Sequence, residues 1–341
     1  MAWLDDGVPP ELKDFKDSAR AVGRLAKSRA SVSSMRAKLT FPLMAPPVPR
    51  GVEVPPKKGT TGADFETEWA RSPAARWARA AIVEGPMRAM VKVFADPEIN
   101  GRDRLEDLKS LDDVPPVIFV ANHHSHLDTP LMITSIPDPW RHKLVVGAAA
   151  DYFFTSRVTG TASALALNAF PVDRAAVSRR STDLAASLIN DGWSLLIYPE
   201  GGRSPDGWAQ EFHRGAAFLA NKCKVPVVPV HLEGTGQIFG KGMGRPKPGT
   251  TLVTFGAPLF LHDGEDTRRF NDRIERAVWE LGDESSSDWW TARRNAAQAV
   301  TPALTGPAGK TWRREWKLGD QRAKGKAGER RRQKRSWPKI S

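Results

Sequence analysis

The chain has very little of what would cross-link it covalently or hold it across a bilayer. Its 341 residues include one cysteine, Cys223, so no disulfide can form within the chain, which is typical of a reducing compartment. No apolar run approaches the roughly 18 to 20 residues that a membrane-spanning helix needs. Acidic residues occupy the N-terminus where an export signal would need a basic start and an apolar stretch, so we expect none. These scarcities favour a cytoplasmic protein that is soluble or lies on the inner face of a membrane.

Net charge is scarce in most of the chain and concentrated near one end. Thirteen Lys and Arg and three acidic residues lie between Lys310 and Lys339, so this stretch carries +10 of the total net charge of +12. Residues 1–309 are therefore almost neutral. A polycationic tail binds anionic lipid headgroups or nucleic acid, or stays solvated. Tryptophans interleave with the charges at 312, 316 and 337, and because tryptophan favours the membrane interface, we expect an anionic membrane surface and no specific nucleic acid.

Composition divides the chain into three predicted parts. Residues 1–62 combine a basic segment at 10–43, for which we expect a helix, with a linker rich in Pro and Gly. Residues 63–284 form the predicted catalytic domain, which begins with a helical stretch at 63–94 that Pro73 and Pro86 should kink or split. Residues 285–341 turn polar and basic, and we expect a loosely ordered extension there.

The central part alternates between two kinds of pattern. Short apolar runs predict strands, and amphipathic stretches predict helices between them. This alternation is typical of an α/β domain with a mostly parallel sheet flanked by helices. The predicted strands are 117–120, 144–147, 195–198, 227–231 and 252–255, and the predicted helices are 129–136, 177–190, 208–222 and 267–282.

The most informative stretch is Asn-His-His-Ser-His-Leu-Asp at 122–128, directly after the first predicted strand. The spacing lets His123 and Asp128 meet across one turn. A carboxylate that orients an imidazole makes a general base near neutral pH. We therefore expect His123 to take a proton from a hydroxyl group, and no covalent nucleophile is apparent nearby.

The same stretch allows a metal hypothesis. His124, His126 and Asp128 follow the His-x-His-x-Asp start of the metallo-β-lactamase superfamily, which continues with a further histidine. Here that position is Thr129. A metal-dependent hydrolase therefore remains the alternative, while the base hypothesis needs no metal or other cofactor.

Three further blocks follow along the chain. Arg174 comes after Phe-Pro-Val-Asp at 170–173 and offers a fork of donors to a phosphate. The strand at 195–198 leads into Pro199, Glu200, Gly201, Gly202, Arg203 and Ser204, at the strand end where α/β sheets place ligands. Val-Pro-Val-Val-Pro-Val at 225–230 predicts a buried strand, and because Pro229 lacks a donor, we expect it at a sheet edge or bulge.

In this order and at these separations the four blocks resemble the motifs of the glycerolipid acyltransferases, most closely the 1-acylglycerol-3-phosphate acyltransferases. The family's first motif, Asn-His-x-Ser-x-x-Asp, is matched throughout by residues 122–128. Its third, Phe-Pro-Glu-Gly-Thr-Arg-Ser, is matched with Tyr198 in place of Phe and Gly202 in place of Thr. The resemblance covers roughly residues 85–260.

The resemblance implies roles for the matched residues. His123 would be the general base and Asp128 its orienting partner. Arg174 would bind the phosphate of the acceptor, and Glu200, Gly201, Gly202 and Arg203 would line the acceptor site. The implied reaction moves a fatty acyl group from acyl-CoA or acyl carrier protein to a lysophospholipid. A lipid- or nucleic-acid-binding protein that acts through its tail is the non-enzymatic alternative.

Overall fold

The computed structural model describes residues 61–173 and 179–305. These residues build one seven-stranded sheet with helices on both faces. The strands are β1 (Pro97–Asn100), β2 (Ile118–Ala121), β3 (Leu144–Ala149), β4 (Ala169–Val172), β5 (Ser194–Ile197), β6 (Val227–Glu233) and β7 (Thr251–Phe255). The helices are α1 (Pro73–Ile82), α2 (Arg88–Ala95), α3 (Glu106–Lys109), α4 (Asp128–Ser135), α5 (Ala150–Phe153), α6 (Arg157–Leu167), α7 (Arg179–Asn190), α8 (Gly215–Cys223), α9 (Thr235–Phe239), α10 (Thr267–Ser286) and α11 (Trp289–Ala297).

The sheet has the order β1-β7-β6-β2-β5-β3-β4. All neighbouring strands run parallel except the antiparallel pair β6 and β7. The predicted α/β class with a mostly parallel sheet is confirmed. Since β2 and β5 are adjacent and parallel, the chain segments that leave their carboxyl ends, at 122 and 198, lie side by side.

The core has one cluster on each face of the sheet. Phe119 belongs to the cluster shared with α1, α2 and α4, whereas Ile118 and Val120 belong to the cluster shared with α7, α8 and α10. Successive side chains of a strand point to opposite faces, and all four residues of β2 are buried. An apolar run with no polar alternation therefore marks a strand that is covered on both sides.

All five predicted strands are confirmed, and two strands escaped prediction. β1 carries Glu98 and Asn100 and shows alternating exposure, so it has no apolar run. β4 is short and contains Pro171. Both lie at the edges of the sheet, where strands are short and proline is tolerated.

The predicted edge position of Pro229 is wrong. β6 lies between β2 and β7, in the interior of the sheet. The antiparallel ladder with β7 stops at the pair Val230 and Phe255. Beyond it, the Pro229 carbonyl accepts a hydrogen bond from the Gly256 amide at 2.8 Å. The regular ladder with β7 therefore stops next to Pro229, which has no N–H group to continue it.

Helices were predicted in the right places but with inexact limits. In the stretch predicted as kinked or split, Pro73 occupies the first turn of α1, and a π-helical turn at Val83–Met87 contains Pro86 and joins α1 to α2. The helix predicted from 208 begins only at Gly215, because residues 210–213 bond instead to the turn after β5 and to Glu275. Among the described residues no helix is both long and apolar enough to cross a bilayer.

The expectation of a loosely ordered stretch from 285 is wrong for its first residues. α10 continues to Ser286, and Trp289–Ala297 forms α11, which packs against α10. Asp288 caps α11 by accepting hydrogen bonds from the amides of Trp290 and Thr291. The pattern was missed because the inward side of α11 carries Ala292 and Asn295 and no apolar stripe. The division of the chain into three domains stays a prediction, and the N-terminal helical segment predicted at 10–43 lies outside the described residues.

Candidate active site

The site begins where β2 leaves the sheet. The amide side chain of Asn122 continues the ladder to β6 like a peptide group: it donates to the Leu232 carbonyl at 2.8 Å and accepts from the Leu232 amide at 2.7 Å. Asn122 is buried. This pair of hydrogen bonds fixes the backbone direction immediately before His123.

His123 and Asp128 meet as the spacing predicts. His123 Nδ1 lies 2.8 Å from Asp128 Oδ2. The same oxygen accepts the backbone N–H groups of His124 at 2.7 Å and Ser125 at 2.8 Å. Asp128 is the first residue of α4 and is fully buried. One carboxylate oxygen thus holds both the imidazole and the turn that carries it.

The electrostatics keep Asp128 ionised. Burial raises the pKa of this carboxyl, but the hydrogen bond and charge of His123 and the Ser125 amide outweigh it, so the pKa lies below its usual range. A carboxylate beside Nδ1 favours the tautomer with its proton on Nδ1. Nε2 is then the nitrogen left to accept a proton. The His123 side chain is 18% exposed, so this edge of the ring is within reach of a ligand.

The turn after β5 supports His123 from the other side. Glu200 Oε1 accepts the His123 backbone N–H at 2.9 Å, and Glu200 Oε2 accepts the Gln210 N–H at 2.9 Å. The His123 carbonyl accepts the Ser204 N–H at 2.8 Å. Glu200 is 4% exposed. This geometry supports a positioning role for Glu200, while the contact with the acceptor that the family resemblance implies stays a prediction.

Tyr198 covers one face of the imidazole. Its ring stacks on His123 with centroids 4.2 Å apart and planes inclined by 17°. The Thr129 hydroxyl donates to the Tyr198 hydroxyl at 3.2 Å. Burial, followed by the negative charge of Asp128, raises the pKa of Tyr198 well above its ordinary value, so the phenol stays protonated. Tyr198 and Thr129 therefore limit the rotation of the imidazole.

Three aromatic side chains, His126, Tyr152 and Phe239, form a cluster near the His123–Asp128 pair. His126 Nε2 is 3.2 Å from the Tyr152 hydroxyl, and its ring lies 5.2 Å from that of Phe239. Burial, then the positive charges of Arg203 and His123, lower the pKa of His126. Arg203 is thus close enough to act electrostatically at this site. The lowered pKa favours the neutral form of His126, whereas Arg203 contributes a positive charge at this site.

The remaining predicted residues differ in what the structure says of them. Gly201 has a φ of +68°, and an added Cβ would lie 3.1 Å from His213, so the turn after β5 requires glycine. The Gly202 carbonyl accepts from the Gln210 side chain at 3.0 Å. Arg174 lies outside the described residues. Gln210 and Tyr198 were missed as supports of the site, because their contacts arise only from the folded path of 198–213.

The metal hypothesis gains no support from the geometry. Within the residues that the structure describes, no group of three or more His, Cys, Asp or Glu is arranged to hold a metal ion. Asp128 Oδ2 is occupied by His123 and by two backbone amides. His231, which lies close enough to His124 for their charges to interact, is buried, and burial lowers its pKa to about 4.

The protein is thus an α/β domain with a histidine–aspartate pair just beyond the carboxyl end of β2, beside the turn that follows β5. One known protein family has a sequence model that matches this part of the chain. Residues 100–233 match the family model described as Acyltransferase. This segment of the chain is therefore similar to that family. All of the predicted site residues lie within the matched range.

Particular relatives carry the name 1-acyl-sn-glycerol-3-phosphate acyltransferase. A chloroplast protein of Brassica napus is 32% identical over 40% of this chain and 39% of its own length. A Pseudomonas aeruginosa protein is 28% identical over 50% of this chain and 65% of its own length. The chain spans only part of such relatives: 39% of the Brassica napus protein, 50% of one from Cocos nucifera and 41% of one from Arabidopsis thaliana.

A solved structure shares the fold. The 1-acyl-sn-glycerophosphate acyltransferase PlsC from Thermotoga maritima superposes with a TM-score of 0.50 and 22% identity, over 65% of this chain and 87% of that one. This likeness shows the architecture of the sheet and its helices. It carries no conclusion about substrates.

Proposed function

We propose that this protein transfers a fatty acyl group from a thioester donor, acyl-CoA or acyl carrier protein, to the free hydroxyl of a lysophospholipid. The acceptor we favour is 1-acyl-sn-glycerol-3-phosphate, which would give phosphatidic acid. The observation that carries the proposal is the 2.8 Å contact between His123 Nδ1 and Asp128 Oδ2. It lies within the segment that matches the acyltransferase family.

The chemistry follows from the orientation of the imidazole. Asp128 accepts a hydrogen bond from the Nδ1–H group and stays ionised, so Nε2 can take the proton of the acceptor hydroxyl. The oxygen attacks the thioester carbonyl, a C–O ester bond forms and the C–S bond breaks. The proton on Nε2 then passes to the leaving thiolate. Every atom is accounted for without a metal ion, a covalent enzyme intermediate or the single cysteine.

Recognition of the acceptor would fall to cations near this pair. The charge of Arg203 already acts on His126 beside the imidazole, and guanidinium groups bind phosphate with paired donors. Arg174 keeps its proposed part in the same phosphate site. Gly202 stands where the family motif has threonine, so we expect the acceptor site to lack one hydroxyl contact and to accept more than one lysophospholipid.

The place of action would be an anionic membrane surface on the cytoplasmic side. Acceptor and product are lipids. The stretch 310–339 carries a net charge of +10, and basic segments are attracted to anionic leaflets.

A substrate panel tests the reaction. Purified protein is offered lysophosphatidic acid and other lysophospholipids with labelled acyl-CoA or acyl carrier protein, and products are identified by mass spectrometry. We expect His123→Ala to lower kcat by at least roughly a hundredfold, the usual loss when a general base is removed. His262→Ala, at an exposed loop histidine, is the matched control. Full activity of a folded His123→Ala variant would overturn the proposal.

A further inference from the structure

The last described helix shows the reverse of the usual surface pattern. Helices on a protein surface normally bury their large apolar side chains and expose polar ones. In α11 the inward residue Ala292 is 2% exposed, while Trp289 and Trp290 are 50% and 69% exposed. Two indoles that could be packed inward are instead displayed to solvent.

This display is built into the fold. Asp288 caps the helix through the amides of Trp290 and Thr291 at 2.9 and 3.0 Å. Asn295 donates to Asp283 of α10 at 2.8 Å. The cap defines the first turn of α11, and the Asn295 contact and the buried Ala292 hold the helix against α10, so that the tryptophans face outward.

Basic residues lie beside the indoles within the helix itself, and the acidic residues nearby, Asp288 and Glu280, belong to its N-cap and to α10. Arg293 and Arg294 are exposed, and no acidic residue occurs within Trp289–Ala297. The Arg293 guanidinium lies 5.9 Å from the centre of the Trp289 ring, and it also pairs with Glu280 of α10 at 3.5 Å. Tryptophan favours the interface between lipid headgroups and acyl chains. Basic residues beside apolar ones are typical of helices that lie on anionic bilayers.

We propose that Trp289 and Trp290 insert into the interface of an anionic bilayer, so that α11 is an apolar anchor of this protein. With nine residues, the helix would lie along the surface. This proposal rests on the proposed function only because a lipid acceptor requires the enzyme to meet a membrane. It lies outside the segment 100–233 that matches the family.

The anchor is tied to the site by a short path. The Leu304 carbonyl accepts the Ala209 N–H at 3.0 Å, and the next amide, that of Gln210, bonds to Glu200. Seven residue steps separate Ala297 from Leu304, which limits their separation to about 25 Å. A bilayer in contact with α11 thus lies within reach of the loop that supports His123.

Vesicle binding without substrate tests the anchor. The full chain is mixed with vesicles of phosphatidylcholine and phosphatidylglycerol at about 1 M salt, where a screening length of about 3 Å removes most attraction to exposed charges. We expect the double variant Trp289→Ala and Trp290→Ala to bind about tenfold more weakly, because two large apolar side chains no longer leave water. The matched control is Phe218→Ala with Phe260→Ala, which removes two side chains that are 47% and 54% exposed elsewhere.

A second variant keeps the tryptophans. Arg294→Glu reverses one charge on the outward side, and at low salt we expect weaker binding to anionic vesicles and unchanged binding to phosphatidylcholine alone. Equal vesicle affinity of wild type and both α11 variants would overturn the proposal. So would self-association that depends on Trp289 and Trp290 without any effect on vesicles, since the occupant would then be a second copy. The assay needs no turnover, so an inactive enzyme that still binds vesicles through α11 would contradict the proposed function and not the anchor.

Discussion

Asp128 combines complete burial with a negative charge, and its hydrogen bonds make this combination stable. Three donors converge on Oδ2: the His123 ring and the amides of His124 and Ser125. A buried carboxylate that loses such partners is costly, because the charge would then be isolated in an apolar environment. The pair is thus both the proposed source of basicity and a structural joint between β2 and α4.

The lowered pKa of Asp128 has a defined consequence for stability. The folded-state pKa lies below the unfolded value of about 3.9. The ionised carboxylate therefore contributes stability that is fully present above about pH 5 and is lost as the pH falls towards the folded pKa. Asp128→Asn removes this contribution. We expect the difference in free energy of unfolding between wild type and variant to be constant at neutral pH and to shrink below about pH 4.

Denaturant unfolding across pH measures this difference. Asp263→Asn, in an exposed loop, serves as the control. If the difference in free energy of unfolding between wild type and Asp128→Asn grew as the pH fell, the predicted direction of the pH dependence would be wrong. Asp128→Asn should also lower kcat by roughly two to four orders of magnitude, because an amide at position 128 no longer holds the His123 imidazole in the required tautomer.

The contact between His123 and Asp128 could be predicted from the sequence, but the contacts that surround it could not. His123 and Asp128 are five positions apart and are joined by a single turn, so their meeting follows from local geometry. Glu200 contacts His123 across 77 positions, and nothing local indicates that its carboxylate points to backbone amides. The proposed acceptor contact of Glu200 came from motif position alone, which says which residue is present and not what it touches.

At the scale of elements, a buried arginine joins three segments. Arg79 of α1 donates to the carbonyls of Leu165 at 2.9 Å and Ala164 at 3.2 Å, in the last turn of α6. It also donates to the Ala70 carbonyl at 2.5 Å. Burial, and then the neighbouring charges of Arg71 and Arg76, lower the pKa of Arg79 to about 10. It is still protonated at neutral pH and satisfies carbonyls that the end of a helix leaves unpaired.

Removing this arginine should destabilise the protein without touching the site. We expect Arg79→Met to lower the free energy of unfolding by about 2 to 4 kcal/mol, because buried carbonyls lose charged donors. Arg76→Met, one turn away and exposed, should stay within about 0.5 kcal/mol of wild type. Thermal unfolding gives the comparison. Equal losses for both variants would mean that the carbonyl contacts do not account for the stability, while acyl transfer per folded molecule should be unchanged in each.

Elements with a clear pattern of apolar residues could be predicted from the sequence, whereas elements whose form depends on neighbouring segments could not. The continuous apolar run of β2 indicated a strand covered on both faces. β1, with Glu98 and Asn100, pairs only with β7 and has no such run. Pro229 misled the prediction of position, because its tolerance depends on where the β7 ladder stops. The point at which two strands stop pairing is set by contacts between them, so the sequence of either strand alone does not reveal it.

At the scale of the whole molecule, two features outside the matched segment point to the same partner. α11 presents Trp289 and Trp290 beside two arginines. The stretch 310–339 carries +10 of the net charge, and residues 306–341 lie outside the described residues. An apolar anchor and a polycation act on a bilayer by different forces. Salt separates them, since it screens charge and leaves burial of apolar surface in place.

Deletion of residues 308–341 removes the polycation and leaves every described residue in place. We expect the truncated protein to bind phosphatidylglycerol vesicles at least about a hundredfold more weakly at low salt, since each basic residue near an anionic surface contributes about 1 kcal/mol. Binding at high salt should be nearly unchanged, because α11 is retained. Duplex DNA in place of vesicles separates lipid from nucleic acid as the partner. Low-salt vesicle affinity that survives the deletion, or an effect of the deletion on DNA alone, would show that the tail does not serve the membrane.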